Sequence, residues 1–172
     1  MMNAQRLLKM MPLLRGKIRE NVSLSDITWF RVGGNAQLLF SPADAEDLAY
    51  FLKTRPDDLG LTLLGAGSNV LIRDGGINGV VVKLGKPFAE ITVDDKHCLT
   101  AGAAALDVSV ARQAAELGLT GLEFYAGIPG SVGGALKMNA GAYGGETADC
   151  FVSACALNQN GDEVILTKQD MG

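Results

Sequence analysis

Two glycine-rich segments contain the residue types with the clearest chemical meaning in this sequence. The first, Gly65–Val70, has the sequence GAGSNV and lies between the apolar stretches Leu61–Leu64 and Val70–Ile72. Glycine lacks a Cβ atom, so successive backbone N–H groups can converge on an anion, and Ser68 and Asn69 add side-chain donors. A diphosphate fits such a nest. The alternative is a tight turn between two strands, in which glycine and asparagine only supply unusual backbone angles.

The first segment differs from the glycine patterns of common nucleotide sites. After Gly65 and Gly67, the position of the third glycine in the dinucleotide fingerprint holds Val70. The sequence also predicts a strand over Val70–Ile72, whereas a helix follows that fingerprint. These features exclude a Rossmann site, and a Walker loop is absent as well.

The second segment, Gly127–Glu146, has the sequence GIPGSVGGALKMNAGAYGGE. Each interior glycine would weaken an ordinary helix by about 1 kcal/mol, so some other requirement must favour glycine here. A flat ligand that lies directly on the backbone is one such requirement, because side chains would block it, and a flavin ring meets that description. Close packing of a helix on a sheet also selects small residues and remains the alternative.

The elements that must position these segments alternate between helical and extended patterns. Apolar residues at helical spacing predict an N-terminal helix over Asn3–Arg15, ended by Gly16, within an N-terminal segment 1–17. A second helix is predicted with Ser41 as its cap and one face formed by Ala45, Leu48, Ala49 and Leu52. A third is predicted over Leu106–Leu117. Strands are predicted over Ala36–Phe40, Leu61–Leu64, Val70–Ile72, Gly79–Leu84, Glu90–Val93 and Cys98–Ala101.

The end of the chain predicts a β-hairpin. Phe151–Asn158 and Glu163–Thr167 flank a turn, 158–162, that is rich in residues tolerant of positive φ. The whole pattern predicts an α+β fold of two lobes, over about 18–85 and 86–172.

Charge and cysteine usage exclude several classes of partner. The net charge is −4 and no Lys/Arg block is longer than two residues, so nucleic acid is not expected. Lys9 and Pro12 interrupt the apolar N-terminal stretch and no cleavage site follows, so we expect neither secretion nor membrane association but a cytoplasmic protein. Three cysteines and one histidine lack the spacing of a zinc site, so we expect no metal site and reduced, buried thiols at Cys98, Cys150 and Cys155.

Three segments together resemble a known family. Thr28–Gly34, Gly65–Leu71 and Gly127–Glu146 are similar, in order and spacing, to UDP-N-acetylenolpyruvoylglucosamine reductases, also called UDP-N-acetylmuramate dehydrogenases. The resemblance covers nearly the whole chain from about Ile18 onward. It implies that 18–172 form the two-lobed FAD-binding domain of the vanillyl-alcohol-oxidase-like, or PCMH-type, fold, and that the family's substrate-binding domain is absent from these residues.

The resemblance also implies which residues bind the cofactor. Around the FAD diphosphate they are Gly65, Ala66, Gly67, Ser68, Asn69 and Val70. Around the isoalloxazine ring and nearby cofactor they are Gly127, Ile128, Pro129, Gly130, Ser131, Gly133, Gly134, Asn139, Gly141, Ala142 and Tyr143. Ala101 and Gly102, followed by Ala103, are expected to add a backbone contact.

The family's reaction reduces the enolpyruvyl ether of UDP-N-acetylglucosamine to UDP-N-acetylmuramate with NADPH, in peptidoglycan precursor synthesis. An electron-rich enol ether accepts hydride poorly, so its carboxylate must be polarised while a donor protonates the adjacent carbon. In the family these groups are an arginine, a serine and a glutamate, which the resemblance puts beyond Gly172, so we predict no catalytic residue in this chain. We therefore expect FAD binding without useful turnover, UDP-sugar binding only with the missing domain, and self-association through exposed apolar surface.

Two other functions stay open from the sequence. One is a non-catalytic FAD-binding module. The other is a different flavin oxidoreductase of the same fold, which should lack the string Met138–Glu146. His97 is predicted to be a surface residue, Glu123 and Glu146 are predicted to have structural roles, and Arg31 is predicted either to contact a cofactor phosphate or to lie on the surface.

Overall fold

The computed structural model describes residues 2–170, which form two compact units. The first unit comprises the chain up to Gly85 together with Cys155–Val164. The second unit comprises Lys86–Ala154 and the chain from Ile165 onward. None of the helices within 2–170 combines the length and the hydropathy that crossing a bilayer requires.

The first unit is built on a four-stranded mixed sheet. Its elements in chain order are α1 (Ala4–Met10), β1 (Lys17–Ser23), β2 (Asn35–Ser41), α2 (Ala45–Thr54), β3 (Leu61–Leu64) and β4 (Ile77–Lys83). The strand order is β1-β2-β4-β3, in which β1 is antiparallel to β2 while β2, β4 and β3 run parallel. The parallel strands therefore end at the same edge of the sheet.

Apolar side chains cover both faces of this sheet. Phe40 and Val82 belong to a core cluster that includes α1 and α2 residues, whereas Leu39 and Val81 belong to a second cluster with Leu24. Because both faces are buried, β4 has a continuous apolar run instead of an alternating one. The Phe40 and Phe51 rings, with centroids 4.9 Å apart, join α2 to the sheet.

The N-terminal helix is shorter than the sequence predicts. It spans Ala4–Met10, with Asn3 as its N-cap, so the predicted extension to Arg15 is wrong. Pro12 explains the early end, because its ring disfavours helical backbone at the preceding residue, and Met11 has φ −127° and ψ 70°. Leu7 and Met11 are nevertheless fully buried, as the apolar spacing predicts.

The cap of α2 also differs from the prediction. Asp44, not Ser41, is the N-cap, and its carboxylate accepts a hydrogen bond from Asp47 N at 2.9 Å. Ser41 is instead the last residue of β2, because it still pairs with Lys17 of β1. That backbone hydrogen bond and the side chain of Arg15, whose Nη2 lies 2.5 Å from Asp44 Oδ1, hold the pKa of Asp44 below its usual range.

The second unit contains short helices and two small pieces of sheet. Its elements are β5 (Ile91–Val93), β6 (Leu99–Ala101), α3 (Asp107–Glu116), α4 (Val132–Met138), β7 (Gly141–Ala142), β8 (Gly145–Glu146) and α5 (Thr147–Cys150). β5 pairs with β6, and β7 pairs with β8, both antiparallel. Its core consists of Ala105, Val110, Ala111, Phe124, Tyr125 and Ala135.

The predicted C-terminal hairpin is present. β9 (Ser153–Leu157) and β10 (Glu163–Thr167) form a two-stranded sheet, and their turn contains Gly161 at φ +78°. Five of the elements named here, β1, α4, β7, β8 and α5, were not predicted. β1 is a polar edge strand without clean alternation, and α4 contains two adjacent glycines that disfavour a helix.

Candidate functional site

The first glycine segment forms a loop at the end of β3. Residues Val70–Ile72 lie in irregular backbone after this loop, so the strand predicted there is wrong. The ends of this loop are tied to neighbouring segments: the Lys83 ammonium donates to Gly65 O at 2.6 Å, and Trp29 N donates to Gly67 O at 3.0 Å. The loop therefore lies at the sheet edge where the parallel strands β3 and β4 end.

Gly67 has an intramolecular reason to be glycine. Its φ is +76°, and a Cβ atom there would lie 2.7 Å from the carbonyl oxygen of Ile27. This contact supports the structural alternative for Gly67 itself. The neighbouring backbone leaves room for the anion alternative, because among residues 2–170 the N–H groups of Ala66 and Ser68 donate to no protein acceptor. The loop thus combines a glycine required by packing with backbone N–H groups that can donate hydrogen bonds to an anion.

The segment Thr28–Gly34, which carries part of the family resemblance, runs beside this loop. A Cβ atom at Gly33 would lie 2.5 Å from Ile72 O, so this glycine allows the two backbones to approach closely. Trp29 and Phe30 are more than half exposed. Arg31 is exposed with φ +52°, a position that both predicted alternatives, contact with a cofactor phosphate and a plain surface location, allow.

In the second unit, the structure brings the predicted residues near Ala101 and near Ser131 together. Gly133 N donates to Ala103 O, and Val132 N donates to Ala105 O, both at 2.9 Å. Gly102 N donates to Glu90 O at 2.8 Å, so the stretch that contacts α4 is also hydrogen-bonded to the residue before β5. Two stretches far apart in sequence therefore form one continuous backbone surface at the start of α4.

The glycines of the second segment do not all have the same role. A Cβ atom at Gly133 would lie 3.0 Å from Ala103 Cβ, and one at Gly127 would collide with the Tyr143 ring. A Cβ atom at Gly130 would lie 2.5 Å from Asp107 Oδ2. At Gly134 the nearest atom would be Ser131 Oγ, 3.8 Å away. Contacts with neighbouring atoms explain why the first three positions hold glycine. They do not explain Gly134, although glycine destabilises a helix relative to other residues.

The chain after α4 continues this surface through two residues with positive φ. Asn139 ends α4 at φ +46°, and its Oδ1 accepts a hydrogen bond from Ala148 N at 2.9 Å. Tyr143 has φ +54° and is 90% exposed, although its ring contacts Gly127. A depression of about 550 Å³ beside them is lined by Gly141, Ala142, Gly144, Gly145, Glu146 and Asp149. Left-handed backbone costs free energy at a residue with a Cβ atom, and such residues are frequent at ligand-binding sites as well as in turns like that of His97.

Several residues take the structural roles predicted for them. Glu123 accepts hydrogen bonds from Thr120 Oγ1 and Gly121 N, and those contacts hold its pKa below the usual range. Glu146 forms a capping box with Asp149 at the start of α5. His97 is exposed in the β5–β6 turn, at φ +62°.

The thiols differ from the prediction of burial. Cys98 and Cys155 are exposed because they lie in a turn and in a solvent-facing position of β9. Cys150 is half-buried, and burial raises the pKa of its thiol. Among the described residues, His, Cys, Asp and Glu side chains form no cluster of three or more suited to a metal ion.

Asp107 is a buried residue of this region that the sequence analysis missed. It is the first residue of α3 and is 0% exposed. Among residues 2–170, neither its carboxyl oxygens nor the hydroxyl of Ser131, which is also buried, has a hydrogen-bond partner. Burial raises the pKa of Asp107 from 3.8 to about 6. An acid at the start of a helix is common, because the helix dipole favours it, so nothing in the sequence distinguished this one.

Asp107→Asn is expected to raise the free energy of unfolding by about 3 kcal/mol at about pH 8, since the pKa of Asp107 is raised from 3.8 to about 6 and one pKa unit corresponds to about 1.4 kcal/mol. Between its ordinary pKa of 3.8 and its folded pKa of about 6, the folded chain keeps a proton that the unfolded chain releases. Stability of the wild type therefore falls as the pH rises through this window and stays low above it. The advantage of the variant should disappear below about pH 4.

Urea denaturation of both proteins across this pH range checks the prediction. Asp95→Asn, at an exposed position of the β5–β6 turn, is the control and should change the stability by less than about 0.5 kcal/mol. A gain for Asp107→Asn that is equal at every pH would show that charge burial is not the cause.

Comparisons with known proteins agree with these structural features. The family model described as FAD binding domain matches residues 36–167. The UDP-N-acetylenolpyruvoylglucosamine reductase of Parvibaculum lavamentivorans is 53% identical over 165 residues, which cover 96% of this chain and 53% of the relative. The reductase of the same name from Phenylobacterium zucineum is 52% identical over 162 residues, which cover 94% of this chain and 54% of the relative. The chain thus spans about half the length of these curated relatives.

Solved structures show the same relationship. The crystal structure of UDP-N-acetylenolpyruvylglucosamine reductase (MurB) from Thermus caldophilus matches with a TM-score of 0.76 and 35% identity, over 90% of this chain and 54% of that chain. 6-Hydroxy-D-nicotine oxidase from Arthrobacter nicotinovorans matches with a TM-score of 0.69 over 98% of this chain and 38% of that chain. At 19% identity, that likeness shows the fold alone. The α+β FAD-binding fold expected from the sequence is confirmed.

Proposed function

The chain belongs to the FAD binding domain family, and on that premise we propose that it is the FAD-binding part of a UDP-N-acetylenolpyruvoylglucosamine reductase. The observation that carries the proposal is the pair of backbone surfaces that the predicted segments form. Within residues 2–170, the N–H groups of Ala66 and Ser68 in the Gly65–Val70 loop donate to no protein acceptor, and the start of α4 contains a glycine that packing does not explain. Free N–H groups suit the diphosphate of a flavin dinucleotide, and an open glycine lets its flat ring approach the backbone.

The diphosphate is assigned to the first surface. The six residues Gly65, Ala66, Gly67, Ser68, Asn69 and Val70 form one loop at a sheet edge, and the N–H groups of Ala66 and Ser68 suit phosphate oxygens. Gly67 contributes the backbone angle, not the contact, because its missing side chain faces Ile27.

The isoalloxazine ring is assigned to the second surface. The proposed residues are Ala101, Gly102, Gly127, Ile128, Pro129, Gly130, Ser131, Gly133, Gly134, Asn139, Gly141, Ala142 and Tyr143. Gly134 is the position where a flat ring can approach the backbone, since its nearest neighbour would be 3.8 Å from a Cβ atom. Asp107 and Ser131 lie buried beside this surface, and within residues 2–170 their side-chain oxygens have no hydrogen-bond partner.

The proposed reaction is that of the relatives named as reductases, with NADPH as hydride donor and the enolpyruvyl ether of a UDP-sugar as acceptor. Bound FAD would supply hydride transfer between these two substrates. The residues of this chain hold the cofactor, exclude water from one side of it and fix its orientation. We propose a cytoplasmic role in peptidoglycan precursor synthesis on the same basis. The neighbours that are oxidases share only the fold, so they favour no second function.

Titration of the purified chain with FAD tests the proposal. We expect binding of about one FAD per chain, with quenching of flavin fluorescence and protection against thermal unfolding that grows with ligand concentration. Riboflavin, which lacks the diphosphate and the adenosine, should bind more weakly. A colourless chain that is indifferent to FAD in both measurements would contradict the proposal. The absence of turnover by these 172 residues alone remains a separate prediction, and oxidation of NADPH in the presence of the enolpyruvyl substrate tests it.

A further inference from the structure

Lys83 is a lysine beside the Gly65–Val70 loop whose role the sequence did not indicate. It is the last residue of β4 and lies in register with Leu64, the last residue of the parallel strand β3. The next residue after Leu64 is Gly65, and the Lys83 ammonium donates a hydrogen bond to Gly65 O at 2.6 Å. The pairing of two parallel strands therefore puts a cation directly at the start of the loop.

The electrostatic environment of Lys83 favours an anion nearby. The residue is half-buried, and this burial lowers its pKa. Throughout residues 2–170, the only ion pairs within 4.0 Å are those of Arg15, so no carboxylate neutralises Lys83. Partial burial of an ammonium costs free energy unless an opposite charge compensates it. One carbonyl oxygen satisfies one of its three donors and supplies no such charge.

The loop and the lysine complement each other. Lys83 and Trp29 donate hydrogen bonds to the carbonyl oxygens of Gly65 and Gly67. In the part of the chain that the structure describes, the N–H groups of Ala66 and Ser68 donate to no protein acceptor. Backbone donors and an uncompensated cation in one place suit a ligand with two adjacent negative charges. We propose that Lys83 is the positioning residue of the diphosphate subsite, where it fixes Gly65 and supplies the positive charge for the FAD diphosphate. This inference rests on the proposed function.

Lys83→Gln removes the charge while it keeps a polar side chain. We expect its affinity for FAD to fall about 10-fold, because hydrogen bonds and contacts that involve a charge contribute more than neutral ones. Riboflavin affinity should stay within about 2-fold of wild type, because riboflavin has no diphosphate. The weakening of FAD binding by added salt should also be smaller in the variant, because salt screens the charge that the variant lacks. Lys83→Arg should restore most of the affinity and the salt dependence.

Fluorescence titrations with FAD and with riboflavin, each at low and high salt, measure these effects on wild type and variants. Lys53→Gln, at an exposed position in the last turn of α2, is the control and should bind both ligands as wild type does. Equal FAD affinity and salt dependence in wild type and Lys83→Gln would overturn the inference alone. If Lys83→Gln lost as much affinity for riboflavin as for FAD, the inference would also be overturned, because such a loss would indicate general damage to the fold. A wild type that binds no FAD would overturn the proposed function, and this inference with it.

Discussion

Replacement of Asp47 with alanine is expected to lower the free energy of unfolding by about 4 kcal/mol. Asp47 is 2% exposed, and its carboxylate accepts hydrogen bonds from the backbone N–H groups of Arg15, Gly16 and Ala43, at 2.8–2.9 Å. The alanine variant leaves all three donors without this acceptor, and each unsatisfied buried donor costs about 1–3 kcal/mol. The carboxylate also ties the chain before β1 to the start of α2, so both junctions should loosen.

Urea denaturation at neutral pH measures the loss. Glu46→Ala is the matched control, because Glu46 is the preceding residue, has a side chain that is 93% exposed, and makes only a 3.6 Å ion pair with Arg15. We expect that control to change the stability by less than about 0.5 kcal/mol. Asp47→Asn, which keeps one acceptor oxygen, should fall between the two. Similar losses for Asp47→Ala and Glu46→Ala would mean that the three backbone contacts do not stabilise the fold.

Replacement of Gly67 with alanine is expected to reduce FAD affinity about 100-fold. Left-handed backbone costs a residue with a Cβ atom about 1–2 kcal/mol, and Gly67 has φ +76°. In addition, the new Cβ atom would lie 2.7 Å from Ile27 O. This oxygen belongs to the backbone that connects β1 to β2, so it can move only if that connection moves. The loop must therefore shift, and the donors of Ala66 and Ser68 shift with it.

Two other glycines provide controls for this variant. Gly118 has φ +69° with nothing within 4 Å of a Cβ atom, so Gly118→Ala measures the left-handed strain without a collision. Gly75 also has open space, and its φ lies outside the left-handed range, so Gly75→Ala should change neither stability nor binding. Isothermal titration with FAD and thermal unfolding without ligand separate loss of binding from loss of folding. FAD affinity of Gly67→Ala within about 3-fold of wild type would contradict the assignment of this loop to the diphosphate.

The local elements could be predicted where the sequence pattern and the burial agree. β3, β6 and β10 are close to their predicted positions, because their apolar residues and turn signals are contiguous in the chain. β1 was missed because an edge strand with polar residues lacks the alternation that marks a half-buried strand. α4 was missed because its glycines disfavour a helix, and only the contact between Gly133 and Ala103 explains one of them.

The site shows the same division between local and tertiary information. Spacing alone identified the Gly65–Val70 and Gly127–Glu146 segments, since glycine requirements are properties of the local backbone. Lys83 was missed because it lies 18 residues from Gly65 in the sequence, and their contact depends on the register of the parallel strands β3 and β4. Asp107 was missed because an acid in the first turn of a helix is usually exposed, and its burial depends on how Gly130 packs against it.

The sequence by itself therefore determined the fold class, the two glycine segments and the family that they resemble, because backbone angles and apolar spacing are encoded within short stretches. The tertiary structure decided at which glycines a Cβ atom would meet a neighbouring atom, as at Gly127, Gly130 and Gly133, and at which a Cβ atom would have room, as at Gly134. It also decided which charged groups lie beside these segments. The physical reason is that desolvation and close approach depend on atoms from distant parts of the chain, which no local pattern specifies.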